Sequence, residues 1–208
     1  MNEFVKKANQ KKIEHIIKNL EKRNMKGYYC DTIKEANEKI LSMISTDDLV
    51  SWGGSATLDE MGIKENLSNV IDAQKAPQEK AYEEKRRALL SDVYLTSTNA
   101  ITMEGELVNI DGNGNRVAAM CFGPHKVIVV AGANKIAEDE AAALARIHTE
   151  ASPANCIRLG KKTPCAVTGI CGKCLTPGQT ICSYTVTTRF SCVADRIHVI
   201  LVNEDLGF

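Results

Sequence analysis

Residues 91–132 have the most informative pattern in the sequence, SDVYLTSTNAITMEGELVNIDGNGNRVAAMCFGPHKVIVVAG. Two apolar runs, Val93–Leu95 and Val127–Val130, flank a middle rich in Asn, Gly, Asp, Ser and Thr. This pattern predicts two buried strands with loop and hairpin between them. Thr96–Met103 and Asp111–Arg116 exceed ordinary hairpin turns and present many polar groups at strand ends, where α/β proteins bind ligands. A long hairpin with polar turns and no ligand would leave the same pattern.

The rest of the chain alternates between helix-like and strand-like patterns. Apolar residues at helical spacing predict an amphipathic N-terminal helix and several later helices, and short β-branched runs predict strands between them. The expected helices cover residues 4–26, 33–44, 58 onward, 78–90 and 138–149, and the expected outer strands cover 27–30, 49–52, 69–72 and 196–203. Such alternation favours an α/β class with a mainly parallel sheet covered on both faces.

Composition limits the classes of protein that the chain can belong to. With 208 residues, 44% of them hydrophobic, we expect one domain over residues 1–208, of which 1–46 form an N-terminal helical portion. Basic and acidic residues both number 26 and only 5% are aromatic, so nucleic acid is not an expected partner. No stretch suits a signal peptide or a membrane span, which predicts a cytoplasmic protein without a membrane partner. The apolar N-terminal helix favours a homodimer.

A loop of small residues follows the strand predicted around Trp52. Gly53, Gly54 and Ser55 come directly after it, and Thr57 with Glu60 forms a capping box that is expected to start a short helix at Leu58. Free N–H groups at such a loop can hold a carboxylate or phosphate, because glycines let a ligand approach the backbone. A plain tight turn is the alternative interpretation.

The loop Asp111–Arg116 resembles the start of a dinucleotide fingerprint only superficially. Gly112 and Gly114 fit its first positions, but Val117 replaces the third glycine, and the element is predicted to be the tip of a hairpin. The sequence also contains no nucleophile elbow and no phosphate-binding P-loop. No nicotinamide or flavin site is therefore evident, and carboxylates are the only candidate acids or bases.

Six of the eight cysteines fall in residues 156–192, which are predicted to be an irregular excursion rich in Gly, Pro and Thr. Four of them form a C-x5-C-x2-C-x7-C series that suits an iron–sulfur cluster or an all-thiolate zinc site: Cys165, Cys171, Cys174 and Cys182. Redox-active thiols and buried structural cysteines are the two alternatives. Cys30 and Cys121 are isolated in apolar surroundings and are expected in the core.

Four motifs taken in order resemble the lactate-utilisation (LUD) domain family from about Leu49 onward: SWGGSATLDEMGI, TSTNAITMEGELVNIDGNGNRVAAMCFGPHKVIVVAGANKI, TPCAVTGICGKC and VILVNEDLGF. The resemblance implies a three-layer α/β fold of the NagB/RpiA/CoA-transferase-like kind, in which glycine-rich loops at strand ends hold sugar phosphates or acyl-CoA. It also implies a role in bacterial oxidation of L-lactate together with iron–sulfur partner proteins.

Carried over to this chain, the resemblance implies a ligand site between two loops. The candidate ligand-binding residues are Gly53, Gly54, Ser55, Thr57, Asn99, Asn109, Gly112, Asn115 and Arg116. The first hypothesis is a protein of organic-acid metabolism that binds lactate, another organic acid, an acyl-CoA or a sugar phosphate, within an iron–sulfur oxidoreductase system. The second is a CoA-transferase-like or sugar-phosphate-isomerase-like enzyme in which Glu104 is nucleophile or base and Asp111 its polar partner. The third is a non-catalytic assembly or regulatory subunit.

Overall fold

A computed structural model describes residues 2–208, which form an α/β fold with helices on both faces of a six-stranded parallel sheet. Its strand order is β1-β10-β7-β4-β2-β3, and a smaller sheet, β8-β5-β6-β9, lies beside it. The strands are β1 (Lys26–Cys30), β2 (Val50–Trp52), β3 (Val70–Ile71), β4 (Val93–Ser97), β5 (Ala100–Thr102), β6 (Leu107–Asp111), β7 (Lys126–Gly132), β8 (Ile136–Ala137), β9 (Tyr184–Thr188) and β10 (Ile197–Val202). The predicted three-layer α/β class with a parallel sheet is confirmed.

Eight α-helices are formed by residues 2–208; five correspond to ranges predicted from apolar periodicity, and the three over residues 115–121, 152–158 and 164–168 were not predicted. The eight helices are α1 (Glu3–Lys22), α2 (Ile33–Leu41), α3 (Ala56–Met61), α4 (Ala81–Arg87), α5 (Asn115–Cys121), α6 (Glu140–Arg146), α7 (Ser152–Arg158) and α8 (Pro164–Thr168). A π-helical turn over Ile147–Ala151 joins α6 to α7. None of the helices formed by residues 2–208 is long and apolar enough to cross a bilayer.

The central strand β7 shows why the sheet lies between two layers of helices. Val127 and Val129 pack into the core under α1, whereas Ile128 and Val130 pack on the other face with α2 and α3. All four side chains are fully buried, and burial of such a side chain contributes about 1.5–3 kcal/mol. A continuous apolar run therefore fits a strand that is covered on both faces.

The helix after Gly53 and Gly54 begins earlier than predicted. Ser55 is the N-cap, because its hydroxyl accepts the backbone N–H of Leu58, and α3 starts at Ala56. The predicted capping role of Thr57 is wrong. The Thr57 hydroxyl instead contacts Ser97 and Lys135, which come from distant parts of the chain.

The loop Gly112–Gly114 is a strand-to-helix turn, so the predicted hairpin tip is wrong. The Asp111 carboxylate accepts the backbone N–H groups of Asn113 and Gly114, and Gly114 adopts a φ of 80° that L side chains rarely adopt. These contacts turn the chain from β6 directly into α5. The hairpin expected in this region is formed by β5 and β6, which pair in antiparallel fashion.

Residues 156–192 contain the short helix α8 and strand β9, and the chain between them has no regular secondary structure. Strand β9 pairs antiparallel with β6, which attaches this segment to the smaller sheet. Cys30 is buried as expected, but the prediction that Cys121 lies in the core is wrong. Cys121 is exposed at the end of α5, because the inward face of that helix is formed by Val117, Ala119 and Met120.

Candidate ligand-binding pocket

A cavity of about 480 Å³ opens where the carboxyl ends of several strands meet. It is lined by the loop after β2, the loop after β4, the loop after β6 and one side of α7, and Lys135 reaches it from the turn after β7. Carboxyl ends of parallel strands lie at one edge of a sheet, so loops that are distant in sequence converge there. The fold thus places the polar loops predicted from the sequence around one pocket.

The predicted ligand-binding residues lie together. Those that line the pocket are Gly53, Gly54, Ser55, Thr57, Asn99, Gly112, Asn115 and Arg116, with Asp111 beside them. Asn109 is fully buried behind this surface, where its side-chain oxygen accepts the backbone N–H of Asn99 and a hydrogen bond from Arg116. The geometry thus makes Asn109 a support for the pocket; that the other residues bind a ligand stays a prediction.

Glu104 is not brought to this pocket. It lies in the turn between β5 and β6 and borders a separate depression beside Lys22 and Arg189. Its backbone oxygen accepts a hydrogen bond of 2.6 Å from Arg23. Glu104 precedes β6 and Asp111 ends it, so at about 3.3 Å per residue they lie on the order of 20 Å apart. The two carboxylates therefore border different depressions, and the predicted roles of Glu104 as nucleophile or base and Asp111 as its partner stay predictions.

Arg116 holds the pocket loops together from inside. Its Nη1 donates to the Ser97 carbonyl oxygen at 3.2 Å and to Asn109 Oδ1 at 2.9 Å, and its Nη2 donates to Asn99 Oδ1 and the Ile110 carbonyl oxygen, both at 2.8 Å. Burial lowers the pKa of Arg116, an effect that Asp111 opposes. Because its terminal N–H groups are bonded within the protein, Arg116 stabilises the pocket loops and contributes a positive charge to the pocket.

Asp111 is likewise committed to the protein. Besides the N–H groups of Asn113 and Gly114, its carboxylate accepts the backbone N–H of Val117 at 3.3 Å and lies 3.6 Å from the Arg116 guanidinium. Because both of its oxygens already accept hydrogen bonds from the protein, this carboxylate has little capacity left for a ligand. The arrangement is that of a residue that fixes the loop.

Lys135 is the ionisable group that the sequence patterns did not single out. Its side chain is buried, with the residue only 3% exposed, and its Nζ donates to Thr57 Oγ1 at 2.8 Å and to Ser97 Oγ at 2.9 Å. Within residues 2–208 it forms no ion pair with a carboxylate. Burial, together with the positive charges of Arg146 and Arg116, lowers the pKa of Lys135 to about 7, while Glu60 acts in the opposite direction. In the sequence, Lys135 differs from other lysines only in lying shortly after the apolar run of β7 and directly before Ile136.

Trp52, Lys85 and Arg158 also line the pocket, and the Nε and Nη2 atoms of Arg158 donate to Asn155 Oδ1. Trp52 lines the cavity and is only 2% exposed, yet its indole N–H has no acceptor within the described chain. Lys85 and Arg158 lie at the periphery, and neither forms an ion pair among residues 2–208. With Lys135 and Arg116, these groups give the pocket a positive character.

The four predicted metal ligands lie in one region beside α7. Cys182 Sγ donates to Ser152 Oγ at 3.5 Å, and burial raises the pKa of Cys182, with smaller contributions from Cys171, Cys165 and Cys174. Cys171 Sγ lies 3.6 Å from Nδ1 of His148, a residue outside the cysteine-rich segment that sequence reasoning left out.

All eight cysteines are free thiols. Across residues 2–208 no group of three or more His, Cys, Asp or Glu side chains is arranged to hold a metal ion. The thiols are thus neighbours without the geometry of a closed metal site, and their role as ligands stays a prediction.

Comparison with known proteins gives two findings. The family model described as LUD domain matches residues 13–202. The crystal structure of a DUF162 family protein from Deinococcus radiodurans aligns with a TM-score of 0.54 and 14% sequence identity, over 93% of this chain and 98% of that chain. At that identity the likeness concerns the fold alone. No curated protein matches the sequence.

Proposed function

Because this chain belongs to the LUD domain family, and so is a protein related to lactate utilisation, we propose that it binds a small organic or phosphorylated anion in the pocket. The pocket's volume of about 480 Å³ falls within the range of small-molecule sites, roughly 300–1,000 Å³. Lactate, other organic acids and sugar phosphates are all candidates by size and charge.

The observation that carries the proposal is the buried Lys135 amine at the inner end of the pocket. Two hydroxyl groups bind it, but no carboxylate within the described chain neutralises its charge. A buried charge without a counter-ion is costly, and the cost falls when an anion binds beside it. Lys135 is therefore a built-in recognition element for an anionic ligand.

The groups around Lys135 favour the same kind of ligand. Lys85 and Arg158 add positive charge at the periphery. Asp111, the carboxylate on the pocket surface, is bound to backbone N–H groups and Arg116, which limits its repulsion of an anion. An anion entering the pocket meets mainly donors and positive charge.

The test is a titration followed by the fluorescence of Trp52, which is the one tryptophan of the chain and lines the pocket. Lactate, pyruvate, inorganic phosphate, ribose 5-phosphate and acetyl-CoA are the ligands, and calorimetry gives an independent affinity. Lys135→Met should weaken binding of the preferred anion at least about tenfold, which corresponds to about 1.4 kcal/mol.

The matched control is Lys12→Met, which removes one positive charge from the exposed face of α1. It should bind the anion as the unmodified protein does. The proposal fails if none of the five ligands binds, or if the two methionine variants bind equally well. If none of the five ligands binds, a non-catalytic assembly role becomes the better hypothesis, and capture of iron–sulfur partner proteins would test it.

We also propose that Cys165, Cys171, Cys174 and Cys182 hold an iron–sulfur cluster or zinc ion and link the protein to iron–sulfur partners. The support is their position in one region, with His148 close to Cys171. The segment between α8 and β9 lacks regular structure, and ligation would offset the entropy lost when it is ordered. The four thiols would have to move closer to one another to bind one ion.

A further inference from the structure

We propose that the Lys135 amine forms a covalent imine with a small carbonyl compound that carries a carboxylate or phosphate group. This inference rests on the proposed function and deepens it, because it names the reactive class of the ligand. Two kinds of molecule share the required chemistry: 2-oxo acids and aldose phosphates.

The hydrogen bonds around Lys135 leave one position on its nitrogen unused. Thr57 Oγ1 donates its proton to Ser97 Oγ at 3.3 Å, and Ser97 Oγ donates its own proton to the Thr98 carbonyl oxygen at 3.1 Å. Both hydroxyl oxygens must therefore accept from Lys135 Nζ. A neutral amine with two N–H bonds satisfies both acceptors and keeps its lone pair free, since no other partner lies within hydrogen-bond distance among residues 2–208.

The surroundings also favour the neutral amine. Burial disfavours the ammonium form, and the guanidinium groups of Arg146 and Arg116 act in the same direction, against the single carboxylate of Glu60. With a pKa of about 7, about half of the Lys135 amines are neutral at pH 7, against fewer than about one in a thousand for an ordinary lysine. A desolvated lysine near other cations is a recognised form of activated nucleophile.

The proposed step is balanced without an oxidant or any other reactant. The nitrogen lone pair attacks the carbonyl carbon, the carbonyl π bond breaks, and the oxygen takes up a proton to give a carbinolamine. The C–O bond then breaks and the oxygen leaves as water with both hydrogens of the former amine, which leaves a C=N bond. The anionic group of the ligand would be attracted by Lys85 and Arg158 at the periphery of the pocket.

Reductive trapping tests this step in the intact protein. Pyruvate and glyceraldehyde 3-phosphate are incubated separately with the protein at pH 7, sodium cyanoborohydride is added, and the product is analysed by intact mass and peptide mapping. We expect one adduct per chain, with at least about tenfold more label on Lys135 than on any other lysine, given its larger neutral fraction. The probe that gives the adduct identifies the 2-oxo acid or the aldose phosphate as the ligand class.

Lys135→Arg keeps the positive charge but cannot form the imine, so its adduct at this position should disappear, while Lys12→Arg should be labelled as the unmodified protein is. The mapping of the unmodified protein decides the question even if Lys135→Arg does not fold. Label spread evenly over exposed lysines would overturn the proposal. Anion binding in the Trp52 titration without any trapped adduct would overturn the imine alone, whereas neither binding nor adduct would overturn the proposed function as well.

Discussion

The stability of the ligand-free protein should depend on pH through Lys135. The pKa of this lysine is lowered from 10.5 to about 7 by burial and by Arg146 and Arg116. Below pH 7 both the folded and the unfolded chain carry the proton, so the folded state bears the full cost of the buried charge. Between about pH 7 and 10.5 only the unfolded chain keeps the proton, and the cost falls as the pH rises. Lys135→Met has no such titration, so the unmodified protein should gain stability relative to this variant as pH rises.

The magnitude follows from the size of the pKa change. Each pKa unit corresponds to about 1.4 kcal/mol, so the full cost below pH 7 is about 5 kcal/mol. Between pH 7 and pH 9 the unmodified protein should gain about 2 kcal/mol of unfolding free energy relative to Lys135→Met. Loss of the hydrogen bonds to Thr57 and Ser97 in the variant adds a constant that does not change over this range.

The assay is urea unfolding of the unmodified protein, Lys135→Met and Lys12→Met at pH 7, 8 and 9, followed by fluorescence of the buried Trp52. Lys12→Met should follow the unmodified protein, because its side chain is exposed. Addition of a bound anion should reduce the pH dependence, since an anion beside Lys135 stabilises the ammonium form. Parallel stability curves for Lys135→Met and the unmodified protein would refute the reasoning.

Three further predictions concern the rest of the chain. Glu104→Gln should leave the anion affinity unchanged, and loss of binding in this variant would contradict the pocket geometry. Asp111→Asn should weaken anion binding and lower the unfolding free energy by about 2–3 kcal/mol, because three backbone N–H groups lose a charged acceptor. Gly207→Ala should lower the melting temperature more than Gly178→Ala does. Both glycines have a left-handed φ, but only at Gly207 would the new Cβ lie 2.6 Å from Thr57 Oγ1. Equal melting temperatures of the two variants would count against this packing. If Cys165, Cys171, Cys174 and Cys182 are metal ligands, protein purified without oxygen should contain one zinc ion or iron–sulfur cluster per chain and should lose thermal stability on chelation. Less than about half an equivalent of metal per chain, with no loss of stability on chelation, would reject this role.

Local patterns in the sequence were sufficient for the α/β class and for the position of the pocket loops. The unbroken apolar run of β7 requires a strand buried on both faces, and helical periodicity in α1 predicts the layer that covers one of them. Gly53, Gly54 and Asn115 were found because turns at strand ends have a characteristic composition. Each of these inferences depends on residues that lie within the same turn or the same strand. At that range the hydrophobic period and the backbone preferences of the residues determine the local structure.

The partners and the surroundings of each polar side chain were decided by the tertiary structure. The partners of Lys135 lie 78 and 38 residues away in the chain, and its pKa depends on burial and on the charges of Arg146, Arg116 and Glu60. Glu104 and Asp111 both belong to the polar stretch, but they flank β6 at opposite ends and border different depressions. Thr57 matched a capping box, yet contact with Lys135 and Ser97 determined its role. Desolvation and charge proximity arise from three-dimensional packing, and for that reason no local pattern in the sequence could show the lowered pKa of Lys135.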